Sequence, residues 1–126
     1  MTKTILVIED NADNMALVDE ILEDAGFNTV QVMRAEDGIV LLQKGNIDLV
    51  LMDISLPDMD GLEATRIIKS NDALKNIPII GLSAHAMVKD RDAALAAGCA
   101  GYQTKPINED TLLESIERLL NDTNNT

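Results

Sequence analysis

Five polar side chains in this sequence stand where short strand-like runs stop. Asp53 follows Leu49-Val50-Leu51-Met52, and Glu9 and Asp10 follow Ile5-Leu6-Val7-Ile8. Ser83 closes the run from Pro78, and Lys105 follows Gly101 to Thr104. If the fold gathers Glu9, Asp10 and Asp53 into one pocket, those carboxylates cannot all stay ionised without a counter-charge. A divalent cation that prefers oxygen resolves this. Mg²⁺ typically takes one or two carboxylates, keeps waters and holds a phosphate oxygen. An aspartate can serve as the nucleophile in aspartyl-phosphate chemistry. A nucleophilic carboxylate, a metal, an ammonium and a hydroxyl are the parts phosphoryl transfer needs, because its demands are positioning and neutralisation of charge.

Taken singly, each of these residues has an ordinary role. Asp53 alone reads as a helix cap or turn acid. Glu9-Asp10 reads as a dipole partner for the helix that follows. Ser83 would bond to backbone, Tyr102 would be a half-buried strand aromatic, and Lys105 a surface cation. Asp58 and Asp60 read as turn and cap residues. They do not complete a calcium loop, whose ligand spacing and terminal Glu are missing. Only convergence of the set changes the meaning of its members.

A repeated strand–helix unit would produce that convergence. Ile5–Ile8 is a β-branched run that reads as a buried strand. A helical stripe of Leu17, Val18, Ile21, Leu22 and Ala25 follows, closed by Gly26. Phe27 to Met33 reads as a second strand nearer an edge, and Ala35 to Lys44 as a helix. The stretch DLVLMDISLPDMDG from Asp48 to Gly61 supplies the third strand. Asp60 with Glu63 resembles a capping box, and Leu62, Ile67 and Ile68 help form the next helical face. Pro78 to Ser83 is the fourth strand, Ala86 to Ala97 an alanine-rich helix, and Gly101 to Thr104 the fifth strand. Asn108 caps a last helix with Leu112, Leu113, Ile116, Leu119 and Leu120 on one face. Such alternation predicts an α/β fold, a three-layer sandwich of flavodoxin-like (βα)₅ type with a parallel sheet. In strand order 2-1-3-4-5, strands one and three are neighbours at the switch point, where ligands bind beyond the carboxyl ends. Residues 1–121 make one domain, and 122–126 a polar tail.

Composition narrows the function classes. The 126 residues suit one domain, and a 46% hydrophobic content suffices for a core. Aromatics are only 2%, Phe27 and Tyr102, so the core is aliphatic. A net charge of −12 argues against nucleic-acid and anionic-membrane surfaces, which need Lys and Arg. The single cysteine, Cys99, excludes an internal disulfide and a multi-cysteine zinc site and fits a reducing compartment. The sequence shows no signal-peptide pattern and no membrane-length apolar run. A cytoplasmic location is expected.

The segments ILVIEDN, DLVLMDISLPDMDG, IIGLSA and AGCAGYQTKPI resemble the receiver domain of bacterial two-component response regulators, the CheY-like family, over essentially the full chain. EDNADNM with LSAHAM is most similar to stand-alone receivers of the DivK kind and to receivers attached to hybrid kinases. The resemblance implies that Asp53 is the phosphoacceptor. It implies that Asp10, Asp53 and the backbone carbonyl of Ser55 bind Mg²⁺ directly and that Glu9 acts through water. Lys105 would contact the phosphoryl group, Ser83 would swing to hydrogen-bond it, and Tyr102 would rotate inward. The Lys105–Pro106 bond would be cis. Many relatives carry two Asp where this chain has Glu9-Asp10, which touches only the water-mediated contact. Ser55 and His85, two residues after Asp53 and Ser83, fall at the pocket mouth and are expected to tune how water reaches the phosphoryl group.

The implied partners are a histidine kinase or histidine phosphotransfer protein, docking near helix one and the strand-five loop, and a target protein on the helix 4–strand 5–helix 5 face. Neither nucleic acid nor membrane is expected, and the chain would be a monomer or weak dimer. It would assist its own phosphorylation and dephosphorylation without a separate turnover substrate. The starting Met1 and polar tail favour a free-standing chain over a receiver excised from a hybrid kinase. Three rival classes make different demands. An FMN binder would not place Glu9, Asp10 and Asp13 in its phosphate loop. A haloacid dehalogenase-type phosphatase needs an Asp-x-Asp motif after its first strand, which is missing. A phosphorylation-independent interaction module would be expected to have lost the acids or the lysine, which are all present.

Overall fold

A computed structural model describes residues 2–54, 59–84 and 88–124, the last three of them by backbone alone. The strands are β1 (Thr4–Ile8), β2 (Asn28–Val32), β3 (Leu49–Asp53), β4 (Ile79–Ser83) and β5 (Gly101–Thr104). The helices are α1 (Ala12–Asp24), α2 (Ala35–Lys44), α3 (Gly61–Ser70), α4 (Val88–Ala97) and α5 (Glu109–Asn124). All pairings are parallel, in the order β2-β1-β3-β4-β5. This is the expected flavodoxin-like (βα)₅ sandwich.

Strand parity explains why the central strands are apolar throughout. Ile5, Val7, Leu49, Leu51, Ile80 and Leu82 pack with Val18 and Leu22 of α1 and Leu112 and Ile116 of α5. The alternate residues Leu6, Ile8, Val50, Met52 and Ile79 pack with Leu42 of α2, Ala64 and Ile68 of α3 and Ala94 of α4. Both faces are covered, so neither parity can be polar. β2 lies at the edge, and its residues are exposed or half-buried.

Local chemistry moves several boundaries from those the sequence suggests. Phe27 does not open β2: its amide bonds to Leu22 O at 3.0 Å while that of Gly26 bonds to Glu23 O at 3.0 Å. With Gly26 at φ +93°, this is a Schellman closure of α1, and Phe27 packs into the same cluster as Leu22. Pro78 precedes β4 because it has no N–H to donate; its carbonyl still accepts from the Val50 amide at 3.0 Å. On α1 the buried stripe is Met15, Val18, Ile21 and Leu22, whereas Leu17 is 42% exposed. On α3 it is Gly61, Ala64, Thr65 and Ile68, a 0, 3, 4, 7 spacing that turns Ile67 outward at 40% exposure. Asp60 caps α3 through the Leu62 amide at 2.8 Å. Asn108 caps α5 through the Thr111 amide at 3.0 Å, and the helix backbone continues to Asn124. Ala86, the expected start of the fourth helix, lies outside the described residues, and α4 begins at Val88.

Candidate functional site

Register decides which strand ends meet. Ile8 pairs with Met52, so Glu9 leaves β1 beside Asp53 at the end of β3. Asp53 in turn pairs with Leu82, and Ser83 follows it on β4. Ser83 pairs with Thr104, and Lys105 follows on β5. The Lys105 amide donates to Ser83 O at 2.7 Å, which prolongs the ladder by one residue at this edge. Parallel strands therefore deliver all these groups to one rim.

There, Glu9, Asp10 and Asp53 each offer a carboxylate oxygen, and these oxygens lie within 4.8 Å of one another. Glu9 is 1% and Asp53 3% exposed; Asp10 is the more open of the set. Lys105 supplies the counter-charge. Its Nζ stands 3.0 Å from Glu9 Oε2 and 3.3 Å from Asp53 Oδ2. Burial works against the Lys105 ammonium, but the hydrogen bond to Glu9 and the charges of Asp53 and Glu9 outweigh it, so its pKa rises above that of an ordinary lysine. The Asn11 amide donates to Glu9 Oε1 at 3.2 Å, while the Asn11 side chain caps α1 by accepting from the Asn14 amide.

One ammonium cannot balance this many carboxylates. Glu9 Oε2 is buried and has no hydrogen-bond partner among the described residues, although Lys105 Nζ stands beside it as an ion pair. An all-oxygen donor set with unspent negative charge fits a hard divalent cation of the Mg²⁺ kind.

Gly61 closes the site from below. Its amide donates to Ile54 O at 2.9 Å. A Cβ there would fall 2.5 Å from Asp53 O and 2.7 Å from Ile54 Cα, so only glycine lets α3 start this close to β3. The sequence offered a hint in the glycine directly after the Asp60 cap, but its use depends on contact that no pattern displays.

The remaining expected residues divide. Ser83 is buried at the end of β4, and Tyr102 is half-buried on β5 with its ring against Gly81. The Lys105–Pro106 bond is cis. Ser55 and His85, expected at the pocket mouth, lie outside the described residues, as does Asp58. The Glu9–Lys105 pair was not anticipated.

The model of the response regulator receiver domain family matches residues 5–117. The chain belongs to that family. This receiver is 36% identical over 122 residues to the polar-differentiation response regulator DivK of Brucella ovis, covering 97% of this chain and 99% of the relative. Among solved structures it resembles the receiver domain of a sensor histidine kinase from Pseudomonas aeruginosa PAO1, described with a magnesium ion coordinated in its active site cleft. That match has 30% identity and a TM-score of 0.89, over 96% of this chain and 99% of that one. It also resembles a CheY-like receiver domain protein from Methanospirillum hungatei JF-1, with 27% identity and a TM-score of 0.90, over 99% and 98%. As a receiver the chain is a module of two-component signalling, a family of phosphorylation switches rather than of turnover enzymes. Receivers bind Mg²⁺ at an acidic cluster of the type formed here. No helix among the described residues is long and apolar enough to cross a membrane.

Proposed function

We propose that this receiver is a single-domain response regulator of a phosphorelay and that Asp53 is its phosphoacceptor. The observation that carries this is the seating of Asp53: a buried carboxylate on a rigid strand end, 3.3 Å from Lys105 Nζ and clustered with Glu9 and Asp10. Asp10 and Asp53 would hold Mg²⁺ directly together with the Ser55 carbonyl, and Glu9 through water. When bound, that ion supplies neutralisation of the phosphoryl oxygens.

Asp53 Oδ attacks the phosphorus of a partner's phosphohistidine in line; the O–P bond forms as the P–N bond breaks, and the imidazole leaves. Lys105 turns from the carboxylates toward the new phosphoryl group. Ser83 moves to hydrogen-bond it, and Tyr102 rotates inward on β5. Ser55 and His85 set how readily water hydrolyses the acyl phosphate. The chain thereby assists its own phosphorylation and dephosphorylation without a separate turnover substrate.

The donor is a histidine kinase or a histidine phosphotransfer protein that meets α1 and the loop after β5. The readout is a target protein on the α4–β5–α5 face, whose two states the phosphoryl group biases. The acidic surface fits protein partners in the cytoplasm better than nucleic acid or membrane. Incubation of the wild type and Asp53→Asn with a labelled small phosphodonor tests the assignment. Label is expected on the wild type alone, and label on the variant at another residue would sink it.

A further inference from the structure

A buried polar pair lies outside the acidic pocket, on the side of the sheet covered by α2, α3 and α4. Thr65 on α3 is fully buried, and its Oγ1 donates to Gly61 O at 2.8 Å. Cys99, in the turn between α4 and β5, is also buried, and its Sγ lies 3.8 Å from Thr65 Oγ1. The hydroxyl has one proton, already committed to Gly61 O, so the thiol is the donor across this contact. Burial raises the Cys99 pKa, against smaller opposing pulls from Thr65, Lys69 and the Gly81 backbone, so the thiol keeps the proton it donates.

Both ends of the pair are fastened to parts that should move. Gly61, which receives the Thr65 hydroxyl, donates its amide to Ile54 O and abuts Asp53 O. The Cys99 amide holds Ala94 O of α4 at 3.0 Å, and the next amide, Ala100, holds Ile79 O of β4 at 2.8 Å. A Cβ on Gly81 would meet Ile54 Cδ1 at 3.1 Å and both Cys99 Sγ and Tyr102 Cδ1 at 3.5 Å. The residue after the acceptor, the thiol and the switch aromatic thus surround one glycine notch in β4, two residues before Ser83.

Sequence economy argues that the pair is not mere filling. A mid-helix Thr that bonds back to the carbonyl four residues earlier gains little for the helix. Ala or Val would fill the space with no polar atom to satisfy. A satisfied buried polar contact instead fixes one relative placement of the groups that make it.

We infer that the Cys99–Thr65–Gly61 hydrogen-bond chain is the positioning element that couples the end of β3 to β5 and Tyr102. This rests on the phosphoacceptor reading of Asp53. Thr65 and Cys99 touch neither the phosphoryl group nor the acids. They hold α3 in register with the α4–β5 turn, so that a change at Asp53 and Ile54 is delivered to Tyr102.

Wild type, Thr65→Val, Thr65→Ser, Cys99→Ala and Cys99→Ser are compared with beryllofluoride and Mg²⁺. Occupancy is read from the bound fluoride resonance. The response is read from Tyr102 fluorescence, clean because the chain has one Tyr and no Trp, and from amide exchange across residues 99–104. Thr65→Val and Cys99→Ala are expected to load beryllofluoride like the wild type while the response shrinks roughly threefold. Thr65→Ser, which keeps the hydroxyl, and Cys99→Ser, which puts a hydroxyl donor where the thiol was, restore most of it. A wild-type response in loaded Thr65→Val and Cys99→Ala overturns the coupling and leaves the phosphoacceptor reading standing. A wild type that shows no bound fluoride resonance overturns that reading, and this inference with it.

Discussion

Lys105 Nζ lies nearer to Glu9 Oε2, at 3.0 Å, than to Asp53 Oδ2, at 3.3 Å. The lysine is therefore shared between the end of β1 and the proposed acceptor. Glu9 carries its carboxylate one methylene further from the backbone than an Asp would. With metal absent, Lys105 is the internal cation of a pocket of acids. Lys105→Met would leave Glu9 and Asp53 buried beside each other without it. Loss of one partner from a fully buried pair costs about 3–5 kcal/mol, and the solvent that reaches Lys105 reduces this to about 2 kcal/mol. Thermal melts in chelator should show that loss, with added Mg²⁺ restoring more stability to the variant than to the wild type. Equal stability of the two proteins in chelator would refute the counter-ion role.

Divalent cation binding has its own signature. An ion that binds only the folded chain raises stability by mass action, about 2.7 kcal/mol at one hundred times its dissociation constant. The melting midpoint of the wild type should climb with the logarithm of Mg²⁺ concentration and fall back with EDTA. Asp10→Asn removes the most open carboxylate of the cluster, and most of that climb should vanish with it. An undiminished climb in Asp10→Asn would place the cation elsewhere.

The elements and the acids were legible in the sequence for a common reason. A strand covered on both faces is apolar at every position, so its end is marked by the first polar residue, and at β1, β3 and β4 that residue belongs to the site. What stayed hidden depends on register and reach. Nothing in the sequence says that Glu9 rather than Asp53 draws Lys105 closest. Leu17 and Ile67 looked like core because hydropathy does not report helix phase; Met15 and Thr65 hold the buried positions instead. Thr65 and Cys99 meet across 34 residues of sequence, a contact that no local pattern displays. Ser55 and His85 fall outside the described residues.

Gly61 carries a prediction about backbone contact. Gly61→Ala adds a Cβ 2.5 Å from Asp53 O, a backbone atom of a central strand that cannot step aside. Alanine favours the helix by about 1 kcal/mol over glycine, but forced overpacking typically costs 1–3 kcal/mol, and contact with backbone lies at the upper end. A net loss of about 2 kcal/mol in denaturant melts is expected, together with weaker Mg²⁺ binding because the Asp53 end must shift. A variant as stable as the wild type would mean that α3 can slide away from β3 at little cost.

Cys99 makes stability depend on alkaline pH with a definite sign. Burial holds its thiol pKa above the ordinary value, so the folded chain keeps a proton that the unfolded chain releases near pH 8.5. Above that point the unfolded state binds fewer protons than the folded one, and stability falls as pH rises until the folded thiol also titrates. The slope from this one group is at most about 1.4 kcal/mol per pH unit. Lys105 does not imitate the effect. Its pKa is raised, so its contribution persists below the pKa of an unfolded lysine and is lost only as pH climbs through the still higher folded value. Denaturant melts of wild type and Cys99→Ala between about pH 8 and about pH 9.5 isolate the term. The wild type should lose stability more steeply across that window, whatever packing the substitution removes at neutral pH. Parallel slopes would show that the thiol is not desolvated in the folded chain.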